Sequence, residues 1–145
     1  RLDNPSLTIR KPDRPVSPLK EQPWRIILTH DASSIPADSI CLTDEFRDRT
    51  LVVENVFSYL ELLKKLYNDK KIGTILLEAG GCLVREFLKA GLVDEWVGFY
   101  APIIIGGGAD GVAPGPFLEH EAHLEQPVVN IFGDDVCIRG DICYR

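Results

Sequence analysis

Two hydrophobic periods alternate along this chain of 145 residues, and the places where one gives way to the other mark its elements. Trp24-Arg25-Ile26-Ile27-Leu28-Thr29 is a short apolar run closed by His30-Asp31 and Ser33-Ser34, as a buried strand requires. Leu51-Val52-Val53 predicts a second strand. From Asn55 the spacing becomes three and four. Val56, Leu60, Leu63 and Tyr67 then share a helical face, with Asn55 available as N-cap. Gly73 follows that helix, and residues 72–77 read as the next buried strand, ending on Glu78. A helix over 82–90 places Leu83, Phe87 and Leu88 on one side, and Gly91 falls where a left-handed C-cap is wanted. Residues 96–105 are strand-like, with Pro102 marking a bend or an edge. Residues 128–132 and 136–144 predict an antiparallel pair joined through Gly133-Asp134.

The remaining segments are loops. Asp3-Asn4-Pro5 is turn chemistry, Leu7-Thr8-Ile9 a short extended piece, and residues 11–23 carry four prolines among charges. Strand and helix alternate up to residue 105 and a hairpin follows, which points to an α/β sheet with an antiparallel edge. No internal repeat is visible. The length suits a single domain, 1–145, and 45% apolar with 26% charged residues is ordinary for a globular protein. A net charge of −6 and a pI near 5.0 leave no basic footprint for nucleic acid. The longest apolar stretch, 93–105, is broken by Asp94, Glu95 and Pro102, so no segment reads as a membrane span or a signal peptide. Cys41, Cys82, Cys137 and Cys143 lack metal or redox spacing and read as buried free thiols of a reducing cytoplasm. The chain enters on a turn and without an initiator Met, which reads as the downstream part of something longer.

The sharpest chemical signal is Glu78-Ala79-Gly80-Gly81. It puts a carboxylate at a strand end beside glycines that let a ligand approach backbone, ahead of free helix N–H groups suited to an anion. A tight strand-to-helix turn with Glu78 merely exposed fits the local pattern equally well. There is neither a G-x-G-x-x-G nor a phosphate-binding G-x-x-x-x-G-K-[ST] run. His120-Glu121-Ala122-His123, with Glu119 and Glu125, has the outline of a metal cluster, but a solvated acidic loop accounts for it better. Gly106–Gly108 lacks a following Lys and reads as a bend at a strand end that borders a cofactor.

Asp3-Asn4-Pro5-x-Leu7-Thr8-x-Arg10, Arg25-Ile-Ile-Leu, Glu78-Ala-Gly-Gly, Gly91-Leu-Val-Asp-Glu95, Ala101-Pro102 and Gly106-Gly-Gly108 occur in that order. Together they resemble the reductase domain of riboflavin biosynthesis over nearly the whole chain. The resemblance implies a dihydrofolate-reductase-like three-layer α/β/α fold, its central sheet mostly parallel, with an antiparallel C-terminal hairpin. The family's first strand, helix and second strand precede the Asp-Asx-Pro turn. The chain therefore reads as an N-terminally incomplete domain, inactive by itself. In bacteria such a domain is usually the C-terminal half of a cytoplasmic deaminase–reductase. The implied reaction is NADPH-dependent reduction of the ribosyl side chain of 5-amino-6-(5-phosphoribosylamino)uracil to ribityl. A dihydrofolate-reductase-like paralogue acting on another substrate, or a non-catalytic domain for ligand sensing or assembly, are the alternatives.

By position, the resemblance makes Asp3 a cofactor contact and sets Leu7 and Arg10 against the pyrimidine substrate. Arg10 would partner its 5′-phosphate through a planar, bidentate guanidinium. If the resemblance fails, Arg10 is a solvated loop charge. Glu78 matches a substrate carboxylate and is the best candidate for orienting the reacting group. Gly80, Gly81, Cys82, Leu83, Val84, Arg85 and Glu86 match the stretch lining the cofactor. His30 stands where the family commonly has a small hydroxyl residue near the cofactor, so either a phosphate contact or no role fits it. No side chain stands out as a general acid. No metal, nucleic acid or membrane is implied, and a homodimer through the C-terminal strands is.

Overall fold

The computed structural model describes residues 4–10, 22–104, 112–115 and 118–145. The chain divides into two compact units, Arg1–Gly73 and Thr74–Arg145.

In the first unit β1 (Arg25–Thr29) pairs in parallel with β2 (Thr50–Glu54), Ile26 opposite Leu51 and Leu28 opposite Val53. The connection holds a 3₁₀ turn at Ala32–Ser34, the short helix α1 (Ile40–Thr43) and a second 3₁₀ turn at Arg47–Arg49. Helix α2 (Tyr59–Lys70) starts later than its sequence pattern suggests. Its N-cap is Ser58, whose hydroxyl accepts from the Glu61 N–H at 3.3 Å. Asn55 instead takes a left-handed φ of 50° and donates its N–H to the Thr29 carbonyl at 3.0 Å, turning the chain out of β2. The inward face shifts with the start. Leu66 is buried, with Leu62 and Leu63 half-buried, whereas Leu60 and Tyr67 are exposed. The sequence carries two overlapping leucine stripes, and periodicity alone does not choose between them. Trp24 is flanked by the Lys70 ammonium at 4.6 Å and the Arg49 guanidinium at 5.6 Å from its ring, tying the end of α2 to the start of β1.

In the second unit α3 (Gly81–Lys89) matches the predicted helix and buries Phe87 and Leu88. Gly91, at φ 65°, ends it as expected. The Leu92 N–H reaches the Phe87 carbonyl and the Gly91 N–H reaches that of Leu88, both at 3.0 Å, which is the Schellman arrangement. Strands β3 (Glu95–Tyr100), β4 (Ala122–Phe132) and β5 (Asp135–Tyr144) form an antiparallel sheet in the order β3-β5-β4. The hairpin turns on Gly133-Asp134 as predicted, with Gly133 at φ 62° in the first central position. β3 stops at Tyr100, ahead of the bend at Pro102. β4 begins upstream of the predicted 128 because its register is broken between Glu125 and Val128. Gln126 there takes φ 43°, and Pro127 has no N–H to pair.

One predicted strand is absent among the described residues. Residues 72–77 carry no strand pairing, and Ile75 and Leu76 are 39% and 79% exposed. An apolar run becomes a strand only where a neighbour supplies its backbone bonds, and no described strand does so here. The class remains α/β, and among the described residues the parallel pairing is that of β1 with β2. All four cysteines are free; Cys41 and Cys137 are buried and Cys143 partly so. Cys82 departs from the buried reading, because it projects from the exposed side of α3.

Candidate functional site

Residues 4–10 of the first unit fold into a turn that forms a shallow cleft. Asn4 and Leu7 both have left-handed backbone, at φ 37° and 51°, a region that non-glycine residues rarely occupy. Side-chain bonds hold the turn in that shape. Asn4 Oδ1 accepts from the Ile40 N–H at 3.0 Å and so caps α1, whose own N-cap residue Ser39 makes no side-chain cap bond. The Gln22 amide brackets Ile9 as a strand neighbour would, accepting from its N–H at 2.9 Å and donating to its carbonyl at 3.2 Å. Ser6 Oγ contacts Thr8 Oγ1 at 3.1 Å and accepts from Arg10 Nη2 at 2.8 Å. The cleft encloses about 480 Å³ and is lined by Asn4, Pro5, Ser6, Leu7, Thr8, Arg10 and Ile40. Leu7 and Arg10, predicted as substrate contacts, thus share one concavity.

Beneath it lies the first residue of β1. Arg25 is 3% exposed. Its guanidinium grips Asp44 with two bonds, Nη1 to Oδ2 at 2.7 Å and Nη2 to Oδ1 at 2.8 Å. It also donates to the Ser6 and Cys41 carbonyls, each at 2.9 Å. The hydrogen bond from Arg25 holds the Asp44 carboxyl below the usual carboxylate range, and the same bond raises Arg25. Burial pushes the Cys41 thiol up, so it stays protonated, with Sγ 3.1 Å from the Pro5 carbonyl. The available sequence signal was an arginine heading an otherwise apolar run, because a buried charge needs a partner.

In the second unit Glu78 is exposed just ahead of α3. Gly80 is the N-cap (φ −64°, ψ 156°); the Leu83 and Val84 N–H groups reach its carbonyl at 3.0 and 3.2 Å. The first turn has no side-chain cap and no acidic residue, unlike α2 with Ser58 and Glu61. That leaves positive helix-end character open to an anion. A Cβ on Gly80 would meet nothing within 4 Å, so the approach is unobstructed. Cys82 and Glu86 face outward, while Leu83, Val84 and Arg85 are half-buried. Arg85 lies against Gly115, where an added Cβ would stand 2.8 Å from its Nε.

His30 is exposed after β1, next to Asp31. Asp31 Oδ1 accepts from the Ser33 hydroxyl and N–H at 2.7 and 2.8 Å, which lowers its pKa. His30 is not among the residues lining the cleft. Asp3 and Gly106–Gly108 lie outside the described residues. His123 sits on β4 and pairs with Glu121 at 2.9 Å, and among the described residues no group of three or more His, Cys, Asp or Glu could hold a metal. Nor is any described helix long and apolar enough to cross a membrane.

The architecture is that of a dihydrofolate-reductase-like α/β domain. Acinetobacter baumannii RibD superposes with a TM-score of 0.79 at 23% identity, over 98% of this chain and 44% of the other. The riboflavin biosynthesis reductase Rib7 of Saccharomyces cerevisiae gives 0.61 at 12% identity, over 97% and 70%. The chain belongs to the RibD C-terminal domain family, whose model matches residues 1–138. It is 33% identical over 105 residues to the riboflavin biosynthesis protein RibD of Mycobacterium tuberculosis, covering 72% of this chain and 28% of that protein. Against Escherichia coli RibD it is 35% identical over 95 residues, covering 62% and 26%. The chain therefore spans little more than a quarter of the length of these relatives.

Proposed function

We propose that this chain is the reductase domain that converts the ribosyl side chain of 5-amino-6-(5-phosphoribosylamino)uracil to ribityl at the expense of NADPH. The observation that carries the reading is the family match over residues 1–138, which includes the Glu78-Ala-Gly-Gly turn and the uncapped N-terminus of α3. The open backbone at Gly80 and the unscreened helix end fit a dinucleotide pyrophosphate. When bound, NADPH supplies the hydride for the electrophilic C1′ of the substrate. The chain's own task is to bind and orient. Gly80 to Glu86 hold the cofactor, together with Asp3 and His30; Leu7 and Arg10 hold the pyrimidine and the 5′-phosphate; Glu78 orients the amino-pyrimidine edge. The domain works in the cytoplasm.

The test is NADPH oxidation by the purified full-length protein with this substrate. Substrate-dependent oxidation supports the proposal. NADPH binding without oxidation points to a paralogue with another substrate, and absence of both points to a sensing or assembly domain. For the cofactor site, Gly80→Val is the informative change. The φ at Gly80 suits any residue and the added Cβ meets nothing, so folding is expected to survive. The NADPH dissociation constant is expected to rise about tenfold or more. An unchanged constant in titration calorimetry removes α3 from the cofactor site.

The homodimer is proposed through β4 and β5. Among the described strands β4 is an edge, and Val128, Val129, Ile131 and Phe132 on it are 55–76% exposed. Ile131→Lys is expected to shift the full-length protein from dimer to monomer at micromolar concentration in light scattering. A monomeric wild type overturns this.

A further inference from the structure

We propose that buried Arg25 is the positioning residue of the 4–10 cleft: clamped by Asp44, it fixes the Ser6 carbonyl and so aims Arg10 at the anionic end of a bound sugar phosphate. The inference rests on reading that cleft as part of the substrate site.

The bonding of the guanidinium carries the argument. Two bonds go to Asp44 and one to the carbonyl of Cys41 in α1. The fourth leaves this buried set for Ser6, in the middle of a turn with left-handed backbone at both Asn4 and Leu7. A turn of that kind persists only where its surroundings over-determine it. Nε has no hydrogen-bond partner among the described residues, so the group is oriented wholly through its two Nη atoms.

Ser6 is the coupling element. Its carbonyl accepts from Arg25 at 2.9 Å and its hydroxyl accepts from Arg10 at 2.8 Å. One residue therefore links a buried guanidinium, fixed by its carboxylate, to the exposed one that lines the cleft. Lysine cannot reproduce this, since an ammonium lacks the planar fork that serves a carboxylate and two carbonyls at once.

The arrangement contains its own reporter. The Cys41 thiol is buried beneath the turn, 3.1 Å from the Pro5 carbonyl, so lifting the turn would open it to reagent. In the full-length protein, Arg25→Lys is expected to raise KM for 5-amino-6-(5-phosphoribosylamino)uracil about tenfold. The turnover number should stay within about threefold, with NADPH affinity unchanged. Iodoacetamide labelling of Cys41, followed by peptide mass mapping, should accelerate about tenfold or more. Asp44→Asn keeps the volume of the pair and is expected to give the same pattern in weaker form, which serves if Arg25→Lys does not fold.

A raised KM with Cys41 deprotected supports the proposal. An unchanged KM in a folded variant overturns it, whether or not Cys41 is deprotected. A raised KM with Cys41 still protected also overturns it, because Arg25 would then act by another route. If Arg10→Gln leaves KM unchanged, the reading of the cleft as a substrate site fails, and the coupling with it. Cys41 labelling needs no substrate, so it decides the clamp itself even if the wild-type protein reduces a different compound.

Discussion

Replacing Glu78 by Gln is expected to remove nearly all substrate turnover while leaving NADPH binding close to its wild-type value. The substitution keeps size and shape, removes the charge and turns one acceptor oxygen into an NH2 donor. Glu78 is exposed ahead of α3, so the fold does not depend on that charge. Its proposed work is to pair with the amino-pyrimidine edge and hold the acceptor carbon for hydride transfer, whereas Gly80 to Glu86 serve the dinucleotide. An ionic contact made to the reacting part of a substrate is worth about 2–4 kcal/mol, which is roughly 30- to 1000-fold in rate. The loss should fall on the turnover number as well as on KM, because misorientation slows the bound substrate too. Steady-state kinetics and an NADPH titration on the same preparation separate the two effects. Wild-type turnover in Glu78→Gln would show that the carboxylate is only a surface group ahead of α3.

Elements whose signal is local were legible in the sequence. α3 is written by Leu83, Phe87 and Leu88 at helical spacing with Gly91 as its stop, and the hairpin by two β-rich runs around Gly133-Asp134. β1 and β2 were legible for the same reason, as short apolar runs with polar ends. Residues 72–77 were not, because a strand is a relation between segments and an apolar run says nothing about whether its partner is at hand. The bulge at Gln126-Pro127 extends β4 upstream in a way that alternation across a proline does not reveal.

The site divides along the same line. The place of Gly80 at the head of α3 was legible from its neighbours alone, whereas its proposed cofactor role came through the family resemblance. Leu7 and Arg10 came only through the family resemblance, since a Pro-rich flank gives no hint that the turn is shaped by Asn4 and Gln22. Arg25 and Asp44 are 19 residues apart and meet only in the fold. Nothing in either segment names the other.

That pair carries the largest stability effect expected in this chain. Asp44→Ala leaves the Arg25 guanidinium, with 2% of its side chain exposed, facing an empty site. Arginine does not neutralise itself by losing a proton, so the uncompensated charge stays in place. Breaking a buried pair from one side costs about 3–5 kcal/mol, and because the Asp44 side chain keeps 19% exposure the low end applies, about 3 kcal/mol. That is a large part of the roughly 5–15 kcal/mol that holds a domain folded. The pH dependence has a definite sign. The Asp44 carboxyl is held lower in the folded protein than in the unfolded chain, chiefly by the hydrogen bond from Arg25, so the native state binds fewer protons. Its stabilisation is complete above the unfolded carboxylate range, near pH 4, and fades as pH falls below that toward the folded value. In urea unfolding the gap between wild type and Asp44→Ala should therefore be widest at neutral pH and narrow under acid conditions, with unchanged m-values. A variant within about 0.5 kcal/mol of wild type at neutral pH would mean that the surroundings relax to solvate Arg25 and that the pair does not hold the unit together.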